Sequence, residues 1–562
     1  MKHVLRSFGA LIAIVAIMAL IACAPAAQPT SAPPTAAPAQ PTAAPKPTEA
    51  PKPTEAPKPT EAPAAASAKD TLVWLKNIND VVSFDPAEAY EFSGILGVHS
   101  IYDTLVKFEG ADLTTLKPAL ADKWDIKDAG DKWEITFKLK DGVKFASGNP
   151  FTADDVVYSI QRIIALNKPP AFLMTDVGKL TKDSVKATDP KTVVFTMPKD
   201  VSPGAFLTVL TGPTGGIVDS KEAKAHEANG DFGNAYLKDH SAGSGPYILD
   251  HWTKDVEFLL KANPNAAVPP KTPNVLVKHI EDGSVQQQIL TKGDADFAND
   301  LTPEQIASLQ DNKDVQTVKA GNLQLFYVGL NQKIKPLENL KVREALRYAI
   351  DYEAITNDLL SGNAQVNQNV IPIGMLGANP DAGFKKDVEK AKALLKEAGF
   401  PDGFEMDVQT LSGNVGIVPM NDLAAKLQAD WADIGVKANV KAVPAAELLG
   451  PYREGKAPVV VLLWGPDFAD PDANATPFTG APLGLTRNNY DDAKARDMAK
   501  AASLETDPAK RTAMYKELGD YFAHNGPFIF LFQPQNLYAL RANVKGFEWN
   551  PIGYTDLWTI SK

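Results

Sequence analysis

Cysteine occurs once in the 562 residues, at Cys23. A chain with one thiol forms no internal disulfide and builds no cysteine-rich metal centre, so an apolar core has to hold its fold together. Histidine is scarce too, at seven, and His226-Glu227 lacks the second histidine that a zinc-protease HExxH requires. There is no GxSxG, and the glycines of Gly243-Ser244-Gly245 are not followed by the Gly-Lys-Ser/Thr of a nucleotide loop. Positive charge is in deficit, with 57 Lys and Arg against 68 Asp and Glu and a formal net charge of -11. That balance argues against nucleic acid as a partner. The body shows no internal repeat, which argues against a cell-surface structural protein.

Lys2 and Arg6 precede an apolar run from Ala10 to Ile21, too short to span a bilayer and flanked as a signal peptide is. A signal peptide is therefore expected over 1–22. It ends in Leu20-Ile21-Ala22-Cys23, which resembles a lipobox, so Cys23 is expected to carry lipid and to anchor the protein on a membrane surface without spanning it. Residues 23–68 are rich in Pro, Ala and Thr, with KPTEAP repeated at Lys46, Lys52 and Lys58. Such a tract has little to bury and favours extended polyproline II, enough to hold the body roughly 100 Å from its anchor.

The stretch from Gly142 to Arg162, GVKFASGNPFTADDVVYSIQR, is the most tightly specified part of the body. Before it, Trp133, Ile135, Phe137 and Leu139 alternate with polar residues, as in a strand with one buried face. Asp141-Gly142 suits a two-residue hairpin turn into a short return strand, Val143 to Phe145. Thr152 and Asp155 are spaced for a capping box, with Phe151 and Val156 as its staple, and Val156, Val157, Ile160, Ile163 and Ile164 form an apolar stripe. Taken alone this is a structural unit. The string resembles GVKFHDGxPFTAxDVxYSxxR, a segment of the large solute-binding proteins of peptide-type ABC importers, extracellular solute-binding protein family 5. Ala146-Ser147 replaces the His-Asp of many relatives.

Further landmarks resemble that family in the same order: IYDTLVKF from Ile101, LKPALADKW from Leu116, GSGPYILDHW from Gly243 and VREALRYAID from Val342. The resemblance implies an α/β, two-lobed periplasmic-binding-protein fold with an extra subdomain in the first lobe. The expected layout is lobe I over 69–272 and 531–562, with an inserted subdomain at about 111–235, and lobe II over 273–530. The Pro-rich stretch Pro269 to Pro273 is read as the joint, and Phe528 to Phe532 as a buried strand returning to the first lobe. The implied partners are a peptide or other small solute, ABC permease subunits with their ATPase, and the membrane through the lipid. The expected location is the outer face of the cell membrane or the periplasm, the expected state a monomer, and no cofactor is expected.

The candidate ligand segment is VLLWGPDFADPDANATPF, from Val461 to Phe478. An apolar strand leads to a Gly-Pro turn followed by Asp467, Asp470 and Asp472. The W-x-x-D-x-x-D-P pattern of peptide-binding relatives places their ammonium-pairing aspartate at Asp467, with Trp464 and Phe468 as apolar walls and Asp470 beside them. An ammonium in a closed cleft needs such a carboxylate, because a buried charge without a partner is costly. Asp470, Asp472 and Asn474 also match the first three ligands of an EF-hand loop, but Ala475 stands for its glycine and Ala481 for its glutamate, so no metal is assigned. The alternatives are the same fold holding an oligosaccharide or a nickel or other metal chelate, and, in another class, an exported hydrolase using two of the many carboxylates. The anchor has a direct test. Cys23→Ser should move the protein from the membrane fraction to the medium, as read by immunoblotting after fractionation; retention with the membrane contradicts the lipobox.

Overall fold

The computed structural model describes residues 70–380 and 383–562. The signal peptide, Cys23 and the linker to residue 68 lie outside the described residues. Among the described residues, two large sheets organise the chain. The first has seven strands, in the order Val315–Ala320, Asn536–Arg541, Phe297–Ala298, Thr71–Lys76, Asn274–His279, Glu257–Ala262 and Tyr247–Thr253. The second has six: Ala364–Val366, Phe528–Pro534, Leu325–Gly329, Val459–Trp464, Glu405–Leu411 and Lys437–Val443.

These pairings correct the expected lobe boundaries. Strand Asn274–His279 runs parallel to Thr71–Lys76 inside the first sheet, so the first lobe continues past the prolines at 269–273. Its Val275 and Val277 are fully buried there, and Phe297 stacks on Trp74 at 4.5 Å. Phe528–Pro534 does not return to the first lobe. It pairs with Leu325–Gly329 and is buried along its whole length in the second sheet; the return is the next strand, Asn536–Arg541. The chain therefore passes between the sheets at residues 321–324 and at Gln535. The two passages touch: Asn322 Nδ2 donates to Asn536 Oδ1 at 3.0 Å, and Gln533 Nε2 donates to the Asn322 carbonyl at 2.8 Å.

Within the stretch expected as the inserted subdomain, a third, antiparallel sheet has the order Ala121–Asp128, Lys132–Leu139, Thr192–Pro198, Val185–Asp189. Ile135 and Phe137 point from it into an apolar core shared with helix Ala153–Leu166, whose Val156, Ile160 and Ile163 are buried. Each such side chain contributes about 1.5–3 kcal/mol on leaving water. Thr152 N–H donates to Asp155 Oδ2 at 2.8 Å, the reach-back half of the expected cap, and Asn167 closes the helix in the left-handed region with φ 48°.

The expected hairpin after Gly142 does not form. Strand Lys132–Leu139 already has a neighbour on each edge, so residues 143–150 fold back on themselves through the Lys144–Pro150 bridge. Ser147, one of the two departures from the family segment, donates to Asp219 at 2.6 Å and pins this loop.

Arg162, at the end of the fingerprint segment, is buried and donates through both Nη1 and Nη2 to the carboxylate of Asp85, which is also fully buried. Asn234 Nδ2 and the Ala87 N–H complete the carboxylate's partners at 2.6 and 2.9 Å. Arg162 Nε adds a bond to the Phe232 carbonyl at 2.8 Å. One helix residue thereby fixes the loop from Val81 to Glu91. Arg162→Met would leave a buried carboxylate without its cation, and is expected to lower unfolding free energy by about 3–5 kcal/mol in urea titrations. A change within 0.5 kcal/mol or so would contradict this role.

Candidate functional site

Strand Val459–Trp464 pairs with Leu325–Gly329 on one side and Glu405–Leu411 on the other, so its end is held rigidly. Gly465-Pro466 turns the chain out of the sheet and presents Asp467 and Phe468 towards the first lobe. Across from them stands Tyr90, on the loop that Asp85 anchors. The Tyr90 hydroxyl donates to Asp467 Oδ1, a contact between residues 377 apart in the chain. The Tyr90 ring rests edge-on against Phe172 at 6.0 Å.

Asp467, Phe468 and Tyr90 line one cavity of about 50 Å³, closed on its other sides by Leu173, the turn from Thr208 to Thr214, and Tyr554. Phe468 is buried and shares its apolar cluster with Leu173 and Val209, although it comes from the second lobe. This is room for a few waters; small-molecule sites are typically about 300–1,000 Å³. A solute of peptide size enters only when the lobes or the walls move apart.

Asp467 keeps solvent contact on one side while protein crowds the other. That crowding pushes its carboxyl pKa above the ordinary value, and the Tyr90 hydrogen bond works against the rise. Burial, reinforced by Asp467, pushes the Tyr90 hydroxyl well up, so it stays a donor. Among the described residues, Asp467 Oδ2 has no protein partner and is the acceptor left for a ligand.

The four residues singled out from the sequence divide into two pairs. Asp467 and Phe468 face the cavity. Asp470 does not: Arg511 grips it through Nη1 at 2.7 Å and Nη2 at 2.8 Å, and both residues are buried. Its Oδ1 also caps the next helix, Asp472–Thr479, through the Asp472 N–H at 2.9 Å. Its charge is matched by a buried guanidinium and it does not line the cavity, so Asp470 is a structural residue. Trp464 likewise packs behind the loop, with Nε1 donating to the Ala473 carbonyl at 3.1 Å and its ring edge-on to Phe478 at 6.0 Å. Tyr90, Thr211 and Tyr554 were not found from the sequence; the AEAY stretch near Asp85 carries no chemical pattern of its own.

The fold and this cleft define a two-lobed solute-binding protein. Residues 115–484 match the model of the bacterial extracellular solute-binding proteins, family 5 (middle part), and the chain belongs to that family. It is a binding protein, not an enzyme. It is similar to the probable D,D-dipeptide-binding periplasmic protein DdpA of Escherichia coli, with 29% identity over 500 residues, covering 87% of this chain and 93% of that one. Heme-binding protein A of Haemophilus influenzae is 28% identical over 522 residues, covering 89% and 93%. Among solved structures, HbpA2 from Haemophilus parasuis matches with a TM-score of 0.78 at 28% identity, covering 87% of this chain and 99% of that one. DppA from Helicobacter pylori in complex with the peptide STSA matches at 0.68 and 26%, covering 87% and 98%. No helix among the described residues is long and apolar enough to cross a membrane.

Asp472 supplies a pH dependence. Burial, and then the charge of Asp470, raise its carboxyl to about 6. A carboxyl raised in the folded state favours folding most below its unfolded value, and that contribution is lost as pH rises through 6. Asp472→Asn keeps the acceptor used by Thr476 Oγ1 at 2.6 Å and removes the charge. The variant should match wild type near pH 4 and exceed it by about 1–3 kcal/mol at pH 7.5 in parallel urea titrations. Equal stabilities at pH 7.5 would count against the raised carboxyl.

Proposed function

We propose that this chain captures a peptide-like solute by its ammonium group in the cleft between the lobes and delivers it to an ABC permease driven by ATPase subunits. It does so as a monomer, held by lipid on Cys23 at the outer face of the membrane or in the periplasm. The observation that supports this best is Asp467: a carboxylate at the foot of an interlobe cavity, met among the described residues only by a neutral tyrosine donor, with one oxygen still able to accept. The relatives named for dipeptides, and the solved relative with a bound peptide, point the same way.

In this reading the ammonium docks on Asp467 Oδ2 while Tyr90 holds Oδ1, and closing the lobes removes both charges from water together. Phe468 and Tyr554 then provide apolar walls. Asp467→Ala should weaken binding by about 2–5 kcal/mol without loss of fold, as happens when one member of a buried pair is removed. Calorimetry on wild type and variant, each with a peptide and its N-acetyl form, separates the pair from its surroundings. A large coupling supports the ammonium contact; strictly additive losses remove it and favour an uncharged solute such as an oligosaccharide in the same cleft.

A further inference from the structure

Three cations stand behind the walls of this cavity, and each is already matched by its own carboxylate. Arg162 is held by Asp85, Lys168 by Glu88 at 2.6 Å, and Arg511 by Asp470. His99, stacked behind Tyr554 at 3.9 Å, faces Asp556 at 2.9 Å. Among the described residues, Asp467 is the one carboxylate lining the cavity and has no cation partner, since Tyr90 donates to it as a neutral hydroxyl. Among the described residues, none of those lining the cavity carries positive charge. Of the three lining threonines, Thr208 Oγ1 donates to the Ala205 carbonyl and Thr211 Oγ1 to the Thr208 carbonyl, each at 2.8 Å, and Thr214 offers a neutral hydroxyl and no charge.

Resting on the function proposed above, we infer that the cleft selects a monocation: a primary amine whose remaining body is apolar and uncharged, such as a peptide with a blocked C terminus. A free dipeptide brings its carboxylate within a few ångströms of its ammonium. Once the walls have opened and closed again over the solute, that second charge would leave water beside lining residues that supply no cation, with Asp467 nearby, so burial and like-charge repulsion both oppose it. An amide at the same place has no charge to desolvate. Tyr90, Phe468 and Tyr554 suit the apolar body, and their ring faces attract a cation and not an anion.

The test titrates the purified full-length protein by calorimetry with alanyl-phenylalanine, its C-terminal amide, and the N-acetylated amide. The amide should bind about tenfold or more tighter than the free acid, because like charges placed together across an interface are strongly disfavoured. The N-acetylated amide should bind far more weakly than the amide. If the free acid binds as tightly as its amide, the monocation inference is overturned while ammonium capture stands. If acetylation costs nothing, or if none of the three binds, ammonium capture fails and this inference fails with it.

Discussion

The buried pair of Asp85 and Arg162 is the constraint on which the rest of the site depends. It joins a loop that follows the first strand to a helix of the third sheet, between residues 77 apart, and it is fully out of water. A buried ion pair gives little net stability compared with apolar residues of the same volume, but it tolerates only one geometry. The loop bearing Tyr90 therefore has a fixed origin, and the position of the Tyr90 hydroxyl over Asp467 follows from it.

Three aspartates within six residues meet three environments. Asp470 is neutralised by Arg511 and belongs to the framework. Among the described residues Asp472 pairs with no cation directly, and burial raises its carboxyl. Asp467 looks across the lobes. Their chemistry is identical in the chain; what distinguishes them is whether a guanidinium from a helix forty residues on reaches them.

That difference also marks how far the sequence can be read. The strand, the Gly-Pro turn and the aspartate at its end are local features, and Asp467 and Phe468 were legible from them. Asp470 was not, because its partner Arg511 belongs to helix Pro508–Asn525, which carries no signal linking it to the loop. Tyr90 was invisible for the same reason, at a separation of 377 residues. The strands themselves were mostly found by their period, while their sheets were not. Alternation states that Val275 and Val277 are buried, and a run such as Phe528 to Phe532 states that both faces are, but neither states which neighbour does the burying. Prolines at 269–273 mark a turn within the first lobe as readily as a joint between lobes.

The two passages between the sheets lie side by side and are hydrogen-bonded to each other through Asn322, Gln533 and Asn536. Two neighbouring chain segments bend together easily about one line and resist twisting or sliding apart. A paired connection of this kind favours one bending coordinate between the lobes over twisting or sliding. The side chains lining the cleft can then change without altering the connection that sets how the lobes bend.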